Sequence, residues 1–268
     1  MTSLHNLMSM TDRVVLVTGG AGHIGRAISA GLGELGASIC LVDRSQPALD
    51  DARRELQTET PDLRVETLCI DLENETQRVG MVEAVTEKFG RLDVLVNNAG
   101  FVGDSTLSGW AVPFEQQSIA TWRRAVEVNL TAAFHLCQVL APLLRSSSHG
   151  AIINVSSIYG NVGPDMSLYD GTAMGNPAAY AASKGGMVQL TRWLSTVLAP
   201  DIRVNCVSPG GVARGQPAAF AERYVARTPL GRMGHEDDFK GAIAYFASDL
   251  SGWVTGQNLM VDGGWTAW

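Results

Sequence analysis

The chain has 268 residues, of which 46% are hydrophobic and 18% charged, and its formal net charge is −7. This length suits one large α/β domain, expected to span residues 1–268, with 1–12 as an N-terminal extension. The negative charge, with no basic stripe, argues against nucleic-acid and anionic-membrane partners. No apolar run is expected to act as a signal peptide or to cross a membrane, so the sequence predicts a soluble cytoplasmic protein.

Short apolar segments alternate with helical patterns along the whole chain. Helices are predicted at 23–36, 46–58, 75–89, 118–144, 177–198, 218–226 and 236–247. Strands are predicted at RVVLVTG, SICLVD, LRVETLCID, LDVLVNNAG, AIINVSS, IRVNCVSPG and QNLMVDGG. Strands that are apolar on both faces are typical of parallel sheets covered by helices. The pattern predicts a doubly wound, seven-stranded parallel sheet, a Rossmann fold.

The four cysteines are far apart along the chain, at Cys40, Cys69, Cys137 and Cys206. They form no CxxC pair and no cluster with histidine, so no metal site is expected. Each lies in an apolar segment, which predicts buried free thiols in a reducing compartment.

Three connections are longer than the others, at 101–117, 160–176 and 210–229. Each follows the carboxyl end of a predicted strand, where open α/β sheets bind ligands. Long loops at that edge are expected to shape a substrate site.

A glycine-rich turn, TGGAGHIG, lies between the first strand and the first long helix. Gly20, Gly22 and Gly25 match the G-x-G-x-x-G pattern in the context that dinucleotide binding requires. Backbone N–H groups at the helix start can hold a pyrophosphate if no Cβ keeps the backbone away. The candidate contacts in this turn are Gly19, Gly22, His23, Ile24 and Gly25.

Asp43 ends the second predicted strand, 18 residues after Gly25. Its carboxylate can accept hydrogen bonds from the adenosine ribose and would repel a 2′-phosphate, which favours NAD over NADP. Arg44 is a candidate for stacking on the adenine, although its guanidinium could also pair with a 2′-phosphate.

The next two predicted strands end in polar or small residues that are further cofactor candidates. Asp71 and Leu72 follow the third strand, where Asp71 could bind the adenine or cap the following helix. Asn98, Ala99 and Gly100 follow the fourth strand, and the asparagines there can brace neighbouring strands.

Taken together, the motifs TGGAGHIG, NNAG, VEVNL, INVSS, YAASK, VNCVSPGG and TGQNLMVDGG resemble the classical short-chain dehydrogenase/reductase family over nearly the whole chain. The resemblance implies a catalytic tetrad. Tyr180 would be the general acid/base, Lys184 would bind the nicotinamide ribose and lower the pKa of Tyr180, Ser157 would hold the substrate oxygen, and Asn129 would support a proton relay. It also implies that Pro209, Gly210 and Val212 contact the cofactor and that the protein is a homo-oligomer, expected to be a tetramer.

Two features differ from the usual family pattern. His23 stands where the classical glycine motif has glycine, and the resulting glycine spacing is similar to that of the family's extended branch. Only 84 residues follow Lys184, however, which are too few for the substrate domain of that branch. Ser157 and Tyr180 are 23 residues apart, so an enlarged loop is expected near the site. Tyr169 in that loop lacks a lysine four residues later, since Ala173 stands there.

The three loops indicate the substrate. Their polar and aromatic residues favour a hydroxylated small molecule such as a sugar, sugar acid or polyol, and these candidates are Asp104, Trp110, Gln116, Asn161, Asp165, Tyr169, Asp170 and Arg214. A lipophilic or acyl ketone could instead use Trp110, Phe114, Met166 and Met174. The sequence therefore predicts NAD-dependent interconversion of an alcohol and a ketone. An NADPH-dependent ketoreductase, a nucleotide-sugar epimerase or dehydratase, and a catalytically silent nucleotide-sensing module remain open.

Overall fold

The computed structural model describes residues 1–103 and 107–268. The predicted helices and strands are all present in these ranges. The strands are β1 (Val14–Thr18), β2 (Ser38–Asp43), β3 (Val65–Cys69), β4 (Val94–Asn97), β5 (Ala151–Val155), β6 (Arg203–Pro209) and β7 (Asn258–Val261). The helices are α1 (Leu4–Met8), α2 (His23–Glu34), α3 (Gln46–Glu59), α4 (Glu75–Phe89), α5 (Ile119–Val126), α6 (Ala132–Ser146), α7 (Ala178–Val197), α8 (Ala218–Ala226) and α9 (Lys240–Ala247).

All seven strands are parallel and form one sheet in the order β3-β2-β1-β4-β5-β6-β7. The strand order reverses between β1 and β4, which creates the crevice where doubly wound sheets bind ligands. The predicted Rossmann fold is therefore confirmed.

Apolar side chains fill the space on both faces of the sheet. Helices α2, α3 and α9 cover one face, where Ile28, Leu49 and Phe246 are buried. Helices α4, α6 and α7 cover the other face, where Met81 and Leu140 are buried. Because the inner strands β1, β4 and β5 are buried along their whole length, their carboxyl ends are the edge left for ligand binding.

Four details differ from the sequence-based expectations. The N-terminal extension contains α1, which Ser3 caps by accepting a hydrogen bond from the Asn6 N–H. The last predicted helix opens with a 3₁₀ turn at Glu236–Phe239. Cys69 is exposed at the end of β3, so the prediction that all four thiols are buried is wrong.

The long predicted helix is the fourth difference, because a π-helical turn at Glu127–Thr131 joins α5 to α6. The combined stretch Ile119–Ser146 is 28 residues long, contains an 18-residue window with a mean hydropathy of 1.2, and is by length and composition apolar enough to cross a membrane. The expectation that no run reaches that length was therefore wrong. The criterion is weak evidence for a span, because core helices of soluble proteins also meet it, and α6 packs on the sheet.

Candidate functional site

The glycine-rich turn depends on two close backbone approaches. Gly19 has a φ of +62°, and a Cβ there would lie 2.9 Å from the Ala99 Cα. A Cβ on Gly25 would lie 2.1 Å from the Gly19 carbonyl oxygen, so only glycine fits. Gly22 caps α2 without a side chain and is exposed. The turn therefore leaves the first N–H groups of α2 accessible, which suits an anionic pyrophosphate.

Ile24 and His23 are the other two cofactor-binding candidates in this turn, and their side chains point in different directions. Ile24 packs against the apolar core below α2. The His23 side chain is 70% exposed, and its Nδ1 lies 4.0 Å from Glu236 Oε1. His23 is thus at the solvent side of the turn, where both a phosphate contact and a passive role remain open.

A cavity of about 350 Å³ extends along the carboxyl ends of β1 to β4. The predicted cofactor residues that line it are Gly19, Asp43, Arg44, Asp71, Leu72, Ala99 and Gly100. These residues come from four strands and are brought together by the sheet. The cavity and the glycine turn together fit the adenosine half of a dinucleotide.

Polar side chains hold the walls of this cavity in place. Asp43 Oδ1 accepts a hydrogen bond of 2.8 Å from the Arg44 N–H. Asn98 Nδ2 donates to the carbonyl oxygens of Thr18 and Gly19, which fixes the turn. Asn97 Nδ2 donates to Asn154 Oδ1 on β5 at 2.9 Å. The predicted bracing by the two asparagines is therefore confirmed.

The alternative role predicted for Asp71, capping a helix, is wrong. Asn74 caps α4, because its Oδ1 accepts from the Gln77 N–H, whereas Asp71 Oδ1 accepts from the Glu73 N–H. Asp71 remains a lining residue of the cavity.

The sequence reasoning missed one pair of cavity residues. Arg124 on α5 makes two hydrogen bonds to Glu73, of 3.0 and 2.7 Å, and its guanidinium lies 5.1 Å from the centre of the Phe101 ring. All three residues line the cavity. Arg124 and Glu73 are 51 residues apart and match no local motif, so the sequence carried no signal for this wall.

The predicted catalytic residues lie at the carboxyl end of β5 and on the adjacent α7. Ser157 follows β5 and is 6% exposed, and its hydroxyl lies close enough to Tyr180 to influence the pKa of that phenol. Lys184 lies one turn after Tyr180 on α7, with its Nζ 5.9 Å from the centre of the Tyr180 ring. The Nζ donates a hydrogen bond of 2.8 Å to the Val155 carbonyl. A partly buried phenol, a buried hydroxyl and a buried ammonium thus lie close together.

Asn129 reaches this group from the π-helical turn. Its Oδ1 accepts from the Phe101 N–H at 2.5 Å, and its Nδ2 donates to Ser183 Oγ at 3.0 Å. A Cβ placed on Gly100 would lie 3.8 Å from Lys184 Nζ and 3.9 Å from Asn129 Oδ1, so both side chains converge on that glycine. π-Helical turns often occur at functional sites, but the sequence offered no sign of this one.

Burial sets the charge states of the central pair. Burial raises the pKa of Tyr180, and the hydrogen bond from Ser157 only partly opposes this. Burial also lowers the pKa of Lys184 to about 8. The prediction that Lys184 lowers the pKa of Tyr180 therefore does not hold for the protein chain alone. Desolvation disfavours the phenolate and outweighs the effects that would lower this pKa.

The segment after β6 is tightly built. The Gly211 N–H donates to Tyr224 Oη at 2.6 Å, and a Cβ on Gly210 would lie 2.8 Å from the Asp262 Cα. Pro209 is buried at the end of β6 and pairs with Val261 in β7, while Val212 is bridged to Gly234. This rigid backbone continues the ligand-binding edge beyond β5.

The enlarged loop at 160–176 is folded onto α8. Leu168 is buried with Phe220 and Tyr224, and Tyr169 lies with its ring centre 5.4 Å from that of Phe220. Arg223 on α8 donates to the Ser167, Leu168 and Asp170 carbonyls. The loop is therefore an ordered wall beside the catalytic group.

Several predicted substrate contacts have structural partners instead. Asn161 bonds the Ser157 carbonyl and Ser208, Asp165 pairs with Arg227, and Arg214 pairs with Glu236. Trp110 is buried in a cluster that also includes Tyr180, whereas Gln116, Phe114, Met166 and Asp170 are exposed. Met174 packs against the cluster around Tyr224. Asp104 lies outside the described residues.

Comparisons with known proteins agree with this geometry. A family profile described as enoyl-(acyl carrier protein) reductase matches residues 19–266. The 3-oxoacyl-[acyl-carrier-protein] reductase of Thermotoga maritima is 34% identical, over 96% of this chain and 99% of that protein. An NAD⁺-bound xylitol dehydrogenase is 29% identical with a TM-score of 0.84, covering 95% of this chain and 99% of that one. The NADPH-dependent 3-quinuclidinone reductase of Rhodotorula rubra is 27% identical with a TM-score of 0.87, covering 100% and 96%.

The matches run the length of the fold and include both the glycine turn and the residues around Tyr180. The protein is an enzyme of the dehydrogenase/reductase type that acts on alcohol or ketone groups of small molecules and uses a nicotinamide cofactor. The chain belongs to the classical short-chain dehydrogenase/reductase family.

Proposed function

We propose that this protein interconverts a secondary alcohol and a ketone on a polar, hydroxylated substrate, with NAD as the preferred cofactor. The observation that carries this proposal is the group of Ser157, Tyr180 and Lys184, which lies at the same sheet edge as the glycine turn and its cavity. Proton transfer and hydride transfer must occur side by side in such a reaction.

Each member of the group has a role that follows from its surroundings. Ser157 orients the substrate oxygen, since its hydroxyl lies beside the Tyr180 phenol. As a phenolate, Tyr180 accepts the proton of the alcohol during oxidation, and the resulting phenol returns that proton to the substrate oxygen during reduction. The buried Lys184 ammonium stabilises the phenolate as it forms, although burial opposes both charges. The bound nicotinamide would supply the hydride acceptor and a nearby positive charge.

Asn129 is positioned for the proton relay. The Asn129 Nδ2 donates a hydrogen bond to Ser183 Oγ, which in turn donates to the Tyr180 carbonyl oxygen at 2.9 Å. The Asn129 Oδ1 and the Lys184 Nζ both lie close to Gly100. A proton on Lys184 therefore has polar neighbours on the side away from the substrate.

Tyr180→Phe tests the catalytic assignment. We expect alcohol oxidation to fall by about 10³-fold or more, because the phenyl ring fits the site but carries no proton-transfer group. Binding of NAD, measured by protein fluorescence, is expected to be retained. The activity panel contains polyols, sugar acids and simple secondary alcohols, and reduced nicotinamide is followed by absorbance. Turnover near the wild-type rate would remove Tyr180 from its proposed role.

The preference for NAD rests on Asp43, whose carboxylate lines the adenosine cavity. The NAD⁺-bound xylitol dehydrogenase and the NADPH-dependent quinuclidinone reductase are both similar to this chain, so the fold accommodates either cofactor. A carboxylate at this position repels a 2′-phosphate, whereas the neighbouring Arg44 would attract one.

Asp43→Ala tests this preference. We expect the ratio of kcat/KM for NAD over NADP to fall by about tenfold, because the repulsion of the 2′-phosphate is lost while Arg44 remains. Arg44→Ala is the opposite case and should raise the ratio. If Asp43→Ala leaves the ratio of kcat/KM for NAD over NADP unchanged, a residue other than Asp43 determines the cofactor preference.

The second candidate function is reduction of an acyl ketone, which the similarity to the Thermotoga reductase favours. The same assay distinguishes the two, since a 3-oxoacyl thioester would then be the better substrate and NADPH the better cofactor. An epimerase would show no net change in nicotinamide absorbance, and a silent module would oxidise no alcohol at all.

We further propose that the protein is a cytoplasmic homo-oligomer. Exposed apolar side chains on α6 and α7 support the oligomer, with Trp193 54% and Phe134 40% exposed.

A further inference from the structure

Tyr159 is a phenol beside the catalytic group that the family motifs do not explain. It follows Ser157 by two residues, and its N–H donates to Ser157 Oγ at 3.2 Å. Its ring meets Trp265 edge to face with the centroids 6.2 Å apart. The Tyr159 and Tyr180 phenols are close enough to interact electrostatically. Tyr159 is therefore bound directly to the serine of the catalytic group.

The enlarged loop holds the Tyr159 hydroxyl in one orientation. Tyr169 Oη donates a hydrogen bond of 3.0 Å to Tyr159 Oη. The Asn176 side chain lies next to Tyr169. Because Tyr159 Oη accepts this hydrogen bond from Tyr169, the Tyr159 O–H is left to act as a donor. Within the described chain, Asn176 Oδ1 is buried without a hydrogen-bond partner, so an additional acceptor lies at the end of this chain of hydroxyls.

The surroundings of this hydroxyl pair are neutral. Burial raises the pKa of both Tyr159 and Tyr169, so the two phenols stay protonated at physiological pH. Two arginines that contact the loop are already engaged: Arg227 pairs with Asp165, and Arg223 is bonded to three loop carbonyls. A carboxylate placed beside Tyr159 would thus find phenol donors but no unengaged cation among these residues.

We propose that Tyr159, oriented by Tyr169, donates a hydrogen bond to a second, neutral oxygen of the substrate near the reacting carbon. This inference rests on the proposed function and narrows its substrate class. A vicinal hydroxyl or carbonyl, as in a polyol or an uncharged part of a sugar, fits the site. A carboxylate next to the reacting carbon does not. Tyr159 is on this view a specificity-determining residue that the enlarged loop positions.

A pair of alcohols that differ by one hydroxyl tests the proposal. The kcat/KM for trans-cyclohexane-1,2-diol and for cyclohexanol is measured in the wild type, in Tyr159→Phe and in Tyr169→Phe. The matched control is Tyr245→Phe, a partly buried tyrosine that packs on Phe246 away from the site. Melting temperatures check that each variant is folded.

We expect Tyr159→Phe to lower kcat/KM for the diol about five- to tenfold, mainly through KM, and to leave cyclohexanol nearly unchanged. Tyr169→Phe should also lower kcat/KM for the diol and not for cyclohexanol, but by a smaller factor. This variant removes the hydrogen bond that orients the Tyr159 hydroxyl and leaves the hydroxyl itself in place. Tyr245→Phe should affect neither alcohol.

The outcomes separate this proposal from the broader one. If Tyr159→Phe slows both alcohols equally, or neither, the assignment of Tyr159 is overturned while alcohol oxidation by the wild type still supports the proposed function. If the wild type oxidises neither alcohol but the Tyr180-dependent reaction proceeds on a 2-hydroxy acid, the neutral-oxygen proposal is overturned and the proposed function stands. If no alcohol is oxidised at all, both fail.

Discussion

Lys184 shows how a single residue can serve catalysis at a cost to the fold. It is 3% exposed, and its ammonium has a backbone carbonyl as its hydrogen-bond partner rather than a carboxylate. Burial lowers its pKa from 10.5 to about 8. The Lys184 ammonium is therefore less stable in this site than in water, as is common for groups whose function requires a shifted pKa.

Replacing Lys184 with methionine should separate stability from activity. We expect Lys184→Met to abolish turnover and to raise the free energy of unfolding at pH 7 by on the order of 1–3 kcal/mol, because a desolvated ammonium is removed. Between pH 8 and pH 10.5 the unfolded wild type binds more protons at this residue than the native state, so wild-type stability should rise with pH across that window relative to the variant.

Urea unfolding of both proteins at pH 7 and pH 10 measures the difference. The excess in the free energy of unfolding of Lys184→Met over the wild type should become smaller as the pH rises from 8 to 10.5. An advantage that is constant with pH, or a variant that is less stable at pH 7, would contradict the expectation.

At the scale of elements, the enlarged loop and α8 form one unit. Their contact combines the buried side chains of Leu168 and Phe220 with an ion pair between Asp165 and Arg227. Arg223 donates hydrogen bonds to three carbonyl oxygens of the loop. Because both segments flank the catalytic group, loosening one is expected to disturb the substrate site.

Arg223→Ala tests that coupling. We expect stability to fall by about 1 kcal/mol, since three carbonyls lose a partner at a partly exposed site, and proteolysis within 160–176 to become faster. The KM for substrate should rise while NAD binding stays unchanged. Arg192→Ala is the control, because that exposed arginine bonds Gln189 on its own helix. Equal protease sensitivity in both variants would show that the loop holds its place without α8.

At the scale of the whole molecule, α6 and α7 cover the same face of the sheet yet expose large apolar side chains. Trp193 and Val197 lie four residues apart on α7, so they share one helix face, and they are 54% and 46% exposed. Exposed apolar patches of this kind commonly mark protein–protein contacts.

The proposed oligomer follows from this surface. We expect light scattering after gel filtration to give a mass of about four times the 28.6 kDa of the chain. Trp193→Glu should yield smaller species, because a charge would be buried without a partner. Leu4→Glu, on the exposed α1, is the control and should leave the mass unchanged. A wild-type mass of one chain would refute the proposal.

The sequence by itself determined the order of strands and helices, the glycine turn and the positions of the residues now found around Tyr180. These features depend on local patterns: apolar periodicity, cap residues and glycines at close approaches. The helix α4, for example, has the predicted ends because Asn74 caps its start and Gly90, with a φ of +73°, follows its end.

Only the tertiary structure decided the rest. The π-helical turn that carries Asn129, the Arg124–Glu73 wall and the attachment of the loop to α8 all depend on residues 28 to 62 positions apart. The direction of the Tyr180 pKa shift depends on how much surrounding protein excludes water from the phenol. Local sequence patterns do not encode such burial and pairing, because both arise when distant segments pack around the same place.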